Sequence, residues 1–157
     1  ELEQKVFRRD DMLIGVTGTS RAIHLFQLVL HIPVHLNGWA TFPYLVTLFT
    51  RSIKQMIEEY GGLKINEPSD GWQILLGYRG GLYDICHDLS VTPLPEYGAI
   101  GCGREYAMGS LYTTSDATRC TLLSPEARVR MALEAAAAND IHVAEPFWID
   151  RLRRETN

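Results

Sequence analysis

The sequence is poor in cysteine and lacks the spacings that bind zinc. Its 157 residues contain three cysteines, namely Cys86, Cys102 and Cys120. An odd number without a C-x-x-C pair indicates neither a disulfide framework nor a zinc site, so we expect reduced thiols and a cytoplasmic protein. His31 and His35 are four residues apart, but Pro33 between them breaks the helix that would align them. We therefore expect no metal site formed by this pair.

Long apolar runs and an excess of basic charge are also missing. The most apolar stretch, residues 22–34, is interrupted by His24, Gln27 and His31, so we expect no membrane span. The formal net charge is −4, which argues against nucleic acid or an anionic membrane as a partner. Because the opening residues are polar and acidic, we expect no signal peptide. Because the first residue is Glu1 rather than methionine, we expect the sequence to begin inside a longer polypeptide or after a processing cut.

What remains is the composition of an ordinary globular domain. Hydrophobic residues make up 46% and charged residues 22%, which excludes a disordered chain. No repeat or low-complexity linker divides the sequence, so we interpret residues 1–157 as a single domain.

The first half of the sequence alternates between strand and helix patterns. Residues 6–16 are predicted to be extended around a turn at Asp10-Asp11, and a helix capped by Ser20 should follow and end at Pro33. This helix is apolar nearly all round, which is typical of a helix between layers or subunits. A second helix is predicted from the region 41–43 to the glycines at 61–62. Strands 72–78 and 82–86 around a hairpin turn at 79–81, and an extended segment 89–94, complete this half.

The second half is predicted to be mostly helical. A short extended piece at 99–101 leads into a helix over 104–113, and Ser124 with Pro125 begins the last helix. The buried side of that helix is expected to comprise Val129, Ala132, Leu133, Ala136 and Ala137. A final strand is expected over 147–150. Because helices come in pairs and strands in runs, we expect an α+β fold of antiparallel sheets covered by helices.

The most distinctive motif joins a strand to a helix through glycines. Residues 98–109 read GAIGCGREYAMG, and they resemble the IGSGxxYA stretch of proteasome-type peptidases, particularly the HslV-type bacterial subunit. Lys5-Val6, residues 13–18, the hairpin 72–81 and residues 124–141 resemble further segments of that family in the same order. The resemblance implies the four-layer α-β-β-α sandwich of two antiparallel sheets found in N-terminal nucleophile (Ntn) hydrolases. It also implies that the first N-terminal hairpin of the domain is not among these residues.

The resemblance implies a peptidase whose nucleophile is an N-terminal threonine upstream of the residues shown. Lys5 matches the family lysine that lowers the pKa of the nucleophile. The alternative interpretation is that Lys5 is an ordinary surface lysine at the start of a strand. Amide groups of the substrate-pocket strand would stabilise the oxyanion, and the matching residues are Gly15, Val16 and Thr17. Thr17 and Thr19 lie in the turn after this strand, where a capping role is the simpler interpretation.

Two further positions complete the implied site. Cys102 stands where the family has a serine, and a thiol is the weaker hydrogen-bonding group. Cys102 could alternatively be a nucleophile itself, but the sequence places no histidine beside it to act as the base. Asp140 matches an acidic residue that orients the family's active site, or it is simply a residue that ends a helix.

The resemblance also implies partners, which leaves three hypotheses open. The first is a subunit of a homo-oligomeric ring that degrades unfolded polypeptides delivered by an ATP-dependent unfoldase. No cofactor is expected, apart from a monovalent cation that related enzymes bind in the loop around His142 and Glu145. The second hypothesis is a catalytically inactive, structural subunit, favoured by the missing nucleophile and by Cys102. The third is another Ntn amidohydrolase that acts on small amides.

Overall fold

The computed structural model describes residues 4–67, 71–115 and 123–152. Cys120 lies outside these ranges. The contacts among the described residues group them into two units. The first unit comprises the residues up to Pro95 together with Leu152, and the second runs from Glu96 to Arg151. The single domain expected over residues 1–157 stays a prediction.

The first unit contains an antiparallel sheet of five strands in sequential order. The strands are β1 (Val6–Arg9), β2 (Met12–Thr17), β3 (Gln73–Tyr78), β4 (Gly81–Cys86) and β5 (Val91–Leu94). Each strand is antiparallel to its neighbour, so the predicted α+β class with antiparallel pairing is confirmed. It is the one sheet formed by the residues described, and the second sheet of the four-layer sandwich stays a prediction.

Tight turns set the register of this sheet. Arg79 and Gly80 connect β3 to β4, and both have positive φ angles, 45° and 74°. Two residues with positive φ are the pattern of a primed hairpin turn, whose twist matches that of the strands. The predicted hairpin is therefore confirmed. At the other hairpin, Asp10 adopts a φ of 51° in the turn between β1 and β2.

Helices cover one face of the sheet. Helix α1 (Ser20–His24) continues as a π-helical turn, Leu25–Val29, and α2 (Thr41–Tyr44) continues through a second π-helical segment, Leu45–Phe49, into α3 (Thr50–Tyr60). The prediction that Ser20 caps α1 is wrong. Thr19 is the cap, because its hydroxyl oxygen accepts from the amide of Ala22 at 3.3 Å while Ser20 already belongs to the helix.

Alternation along the strands places the core of the first unit between sheet and helices. Ile14 and Ile74 are fully buried on that face, as is Trp72 just before β3, and the ring of Trp72 packs on Phe26 of the first π-helical turn at 5.3 Å. Burial of each such side chain stabilises the fold by roughly 1.5–3 kcal/mol. The period-2 pattern predicted from the sequence is the pattern observed.

The second unit consists of two packed helices in the ranges described. Helix α4 (Arg104–Ser115) is two residues longer than predicted, and α5 (Pro125–Asn139) begins after Ser124, whose hydroxyl accepts from the amide of Ala127 at 3.1 Å. The buried residues between the helices are Ala107, Leu111, Ala132 and Ala136. The prediction for Val129 is wrong, since its side chain is 40% exposed.

The two strands predicted in this half are also wrong. Residues 99–101 and 147–150 are not in strand conformation. A strand needs a neighbouring strand to satisfy its amides and carbonyls. Within the part of the second unit that the structure describes, no strand is present to pair with either segment.

Candidate functional site

Lys5 lies beside the predicted pocket strand. It immediately precedes β1, its side chain is exposed, and its carbonyl oxygen accepts from the amide of Val16 at 2.8 Å. This hydrogen bond continues the register that pairs Val6 with Gly15. The sheet therefore holds the Lys5 backbone directly opposite strand β2.

The three predicted pocket residues contribute differently to strand β2. The Val16 side chain is buried in the core, and its amide is used by Lys5, so Val16 presents neither group to a ligand. Gly15 lies opposite Leu75 and Thr17 lies opposite Gln73. Both alternate with Val16 and therefore lie on the face of the sheet away from the helices.

A close contact fixes the turn after this strand. Gly18 follows Thr17 with a φ of 122°, and a Cβ atom at Gly18 would lie 3.0 Å from the Cα atom of Trp72. Any side chain at this position would be strained and would collide with backbone. The next residue, Thr19, caps α1, as described above. The end of the pocket strand is thus held by a glycine contact on one side and a helix cap on the other.

Cys102 lies in a glycine turn at the start of α4. Gly101 has a φ of 91°, and its carbonyl oxygen accepts from the amide of Arg104 at 3.2 Å. The Cys102 thiol is free and exposed. The next residue, Gly103, is buried against α5, and a Cβ atom there would lie 2.7 Å from the Cβ atom of Ala136.

Asp140 ends helix α5 and organises the turn that follows. Its carboxylate accepts hydrogen bonds from the backbone amide of His142 at 2.8 Å and from Nδ1 of His142 at 3.0 Å. The hydrogen bond from the His142 amide is the main reason that the pKa of Asp140 lies below its ordinary value, and the imidazole of His142 acts in the same direction. The carboxylate is therefore ionised and oriented at neutral pH.

The turns of Cys102 and Asp140 lie at one end of the α4–α5 pair. Val143, whose amide donates to the Asp140 carbonyl at 3.1 Å, also packs on Gly103, with its Cγ2 atom 2.9 Å from a Cβ atom built there. The structure thus brings two of the predicted catalytic residues to neighbouring turns of the second unit. Lys5 and the pocket strand belong to the first unit, and their placement relative to Cys102 stays a prediction.

His142, which the resemblance places in the loop where related enzymes bind a monovalent cation, is a component of this turn. The signal available in the sequence was the spacing Asp140-Ile141-His142, since an aspartate can bond the amide two residues ahead. In the described ranges no group of three or more histidine, cysteine or acidic side chains is arranged to hold a metal ion. Nor does any helix in those ranges have the length and apolarity to cross a membrane.

A second polar cluster lies on the sheet face shared by Gly15 and Thr17. The Gln73 amide donates to both carboxylate oxygens of Asp84, at 2.7 and 2.9 Å, and Cys86 lies beside them. Burial, and then the charge of Asp84, raise the pKa of the Cys86 thiol. A thiol that resists ionisation is a poor nucleophile, which argues against Cys86 as a nucleophile.

Comparison with solved structures identifies the architecture. The chain matches BPH of Thiobacillus denitrificans, solved in complex with epoxomicin, with a TM-score of 0.73 and 20% identity over 91% of this chain and 75% of that one. It matches HslV of Trypanosoma brucei with a TM-score of 0.57 and 21% identity over 89% and 75%. It matches Anbu (ancestral β-subunit) of Yersinia bercovieri with a TM-score of 0.55 and 14% identity over 90% of this chain and 64% of that one. No family model and no curated protein sequence matches the chain.

Proposed function

Because the chain has a proteasome-type fold related to that of HslV, we propose that it is a subunit of a proteasome-type peptidase acting as an Ntn hydrolase. The observation that carries the proposal is the agreement of fold along 91% of the chain. Within that fold, the lysine strand and the pocket strand lie side by side, paired through Lys5 and Val16. The substrates proposed are unfolded polypeptides.

In the proposed mechanism a threonine upstream of Lys5 in the full-length protein is the nucleophile. Its hydroxyl attacks the peptide carbonyl, and its own α-amino group takes the proton, since an ordinary α-amino pKa of about 7.7–8.0 lies near neutral pH. The ammonium of Lys5 favours ionisation of that hydroxyl by its positive charge. The proposed roles of Cys102 and Asp140 are to hold the surrounding hydrogen bonds.

The oxyanion donors are proposed to come from the end of β2. Val16 cannot serve, because its amide already donates to Lys5. The amides of Gly15 and Thr17 point the other way, toward β3, where the register pairs these residues with Leu75 and Gln73. This leaves the turn at Gly18, whose backbone is fixed by the contact with Trp72. A fixed amide needs no reorganisation when charge develops on the substrate, and each such donor typically contributes about 2.7–4 kcal/mol to lowering the barrier.

Self-association into a ring is part of the proposal. Several large apolar side chains of the first unit are exposed between residues 28 and 46, among them Leu28, Val34, Leu36, Phe42 and Val46. Apolar surface of this kind is typical of residues that become buried against a neighbouring subunit. We further propose that an ATP-dependent unfoldase delivers substrate to the ring and that the protein is cytoplasmic, a location with which the free thiols of Cys86 and Cys102 agree.

The second candidate function is a structural subunit that assembles without cutting. Cys102 favours it, because a thiol replaces the hydroxyl expected at the start of α4 and forms weaker hydrogen bonds. An Ntn amidohydrolase acting on small amides is distinguished from both by comparing the cleavage of unfolded casein with that of small acyl amides.

Covalent labelling of the full-length protein tests the proposal. The protein is treated with epoxomicin, and the adduct is mapped by peptide mass spectrometry. We expect labelling of an N-terminal threonine upstream of Lys5, and undiminished labelling in a Cys102→Ser variant. Labelling at Cys102 itself would refute the threonine mechanism. Absence of any adduct in correctly assembled protein would favour the structural subunit.

A further inference from the structure

Helix α4 exposes aromatic side chains on the face opposite its buried one. Ala107 and Leu111 of this helix lie in the core of the second unit, whereas Tyr106 is 45% and Tyr112 is 72% exposed. Gly109 lies between the two tyrosines and is exposed as well. A surface helix ordinarily has one apolar face and one polar face, and aromatic residues are enriched in protein interfaces. The exposed face of α4 thus has the composition of an interaction surface.

A groove runs along this face between α4 and α5. It has a volume of about 460 Å³, and its surface is mostly apolar. Its lining includes Tyr106, Gly109 and Thr113 of α4 and Met131, Ala135 and Asn139 of α5. The Thr113 hydroxyl donates to the carbonyl of Gly109 at 3.0 Å, and the Asn139 amide donates to the carbonyl of Ala135 at 2.8 Å. These polar groups are engaged within their own helices, so they do not oppose an apolar partner.

The exposed face of α4 is symmetric about Gly109. Tyr106 precedes the glycine by three residues, and Tyr112 follows it by three. With about 3.6 residues per turn, the two tyrosines lie roughly 60° to either side of Gly109 and about 4.5 Å before and after it along the helix axis. Among the described residues, no atom lies within 4 Å of a Cβ atom built on Gly109. A face with an open centre and equal flanks is complementary to a second copy of itself in antiparallel orientation.

We propose that a second copy of this chain docks on this face, with the two α4 helices antiparallel across a two-fold axis at Gly109. Helices packed about 8–10 Å apart, with a Cα radius of about 2.3 Å, bring the two glycine Cα atoms to about 5 Å from each other. Only a small residue fits there. Tyr106 of each copy then lies at the level of Tyr112 of the other. The two copies of Glu105, the charged residue of this face, lie about 12 Å apart along the axis, so salt screens their repulsion.

The tyrosines supply a large part of the area that such a contact needs. A tyrosine side chain buries about 150–250 Å² when it is fully covered, so the exposed fractions of Tyr106 and Tyr112 leave roughly 350–600 Å² on the four tyrosines of two copies. A specific interface buries about 1,000 Å² or more. Met131, which is 41% exposed, and the groove beside α4 add to this area.

This two-fold contact differs from the contacts that form a ring. Ring neighbours meet head to tail through two different surfaces, whereas a two-fold contact uses the same surface on both copies and closes after two. In a ring of the kind proposed above, the α4 contact pairs two rings, and without a ring it pairs two copies. Loss of the contact halves the native mass in either case. The contact requires no peptidase activity.

The native mass of the full-length protein tests this contact. Gly109→Glu places two carboxylates together at the two-fold axis, while in a single copy the new side chain faces open space and the fold is kept. We expect the native mass, measured by light scattering after size-exclusion chromatography, to fall twofold. Gln55→Glu adds the same charge at an exposed position of α3 and should leave the native mass unchanged.

Gly109→Cys traps the contact directly. Under mild oxidation we expect a disulfide between the introduced thiols of two copies, because disulfides form at Cα separations of about 4.4–6.8 Å. Peptide mass spectrometry distinguishes this link from one through the exposed Cys102. Thr113→Cys is the matched control. It lies one turn along the same exposed face, but its two copies are about 12 Å apart along the axis and should not join.

Three results would each overturn the proposal. They are a single-copy mass for the unmodified protein, an unchanged native mass in Gly109→Glu, and a Gly109→Cys variant that cross-links no more than Thr113→Cys. A twofold fall in the native mass of Gly109→Glu in a protein that epoxomicin does not label would support the contact while contradicting the proposed peptidase.

Discussion

Gly103 allows a sharp test of the contact that joins the Cys102 and Asp140 turns. A methyl group at this position would lie 2.7 Å from the Cβ atom of Ala136 and 2.9 Å from the Cγ2 atom of Val143, where ordinary contacts lie at 3.4–4 Å. The valine methyl can rotate away, but the Ala136 Cβ atom is fixed to the backbone of α5. The helices themselves must therefore separate by several tenths of an ångström. Overpacking of this kind costs about 1–3 kcal/mol of unfolding free energy.

Gly109 supplies the control, since it lies in helix α4, which begins directly after Gly103, and nothing lies within 4 Å of a Cβ atom built on it. Gly109→Ala should stabilise the protein by about 0.5–1 kcal/mol, because alanine is the better helix former. Urea unfolding followed by circular dichroism measures both variants. We expect Gly103→Ala to be less stable than Gly109→Ala by at least about 1.5 kcal/mol. Equal stability, or a more stable Gly103→Ala, would refute the close packing of α4 on α5 at this point.

Three further predictions concern stability, pH and activity. Arg9→Met should lower the unfolding free energy by about 2–3 kcal/mol, because the guanidinium donates to the carbonyls of Gln27 at 2.8 Å and Leu30 at 2.6 Å, where the first π-helical turn ends. Arg9→Lys should recover part of this loss. The urea concentrations at the unfolding midpoints of the two variants and the unmodified protein test both expectations. Asp140 has a lowered pKa in the folded state, so its stabilisation is present above the unfolded value of about 3.9 and is lost as the pH falls through the folded one. The stability difference between the unmodified protein and Asp140→Asn should therefore shrink in acid, and a difference that grows toward low pH would contradict the described hydrogen bonds. Lys5→Ala should change the unfolding free energy by less than about 0.5 kcal/mol, because the side chain is exposed. The peptidase activity of the full-length enzyme should fall by at least about a hundredfold. Retained peptidase activity would remove Lys5 from the mechanism.

Local patterns predicted most of the first unit and the start of α5 in the second. Large apolar side chains stand at every second residue from Trp72 to Tyr78, and Arg79-Gly80 can adopt the two positive φ angles of a hairpin turn. Ser124 followed by Pro125 predicted the start of α5, and Gly61 the end of α3. Each of these signals acts within a few residues, so it is readable before anything else about the fold is known.

The errors arose where a distant residue decides the outcome. Residues 99–101 and 147–150 have strand-like composition, but a strand forms only beside a partner, and no such partner lies among the described residues of their unit. Val129 fits the apolar stripe of α5, yet α4 covers Ala132 and Ala136 instead. One error was local: α1 begins at Ser20, one residue earlier than predicted, so the hydroxyl of Thr19 rather than that of Ser20 reaches the amide of Ala22.

The amino-acid sequence by itself determined the antiparallel class, the hairpin turns and the order of segments that resembles a proteasome-type subunit, because periodicity and turn chemistry are local properties. Only the tertiary structure decided that the Val16 amide is used by Lys5, that Gly103 lies against Ala136, and that His35 lies between Tyr44 and Tyr78. These contacts join residues separated by between nine and more than forty positions in the chain. They depend on where whole helices and strands meet, which no local pattern encodes.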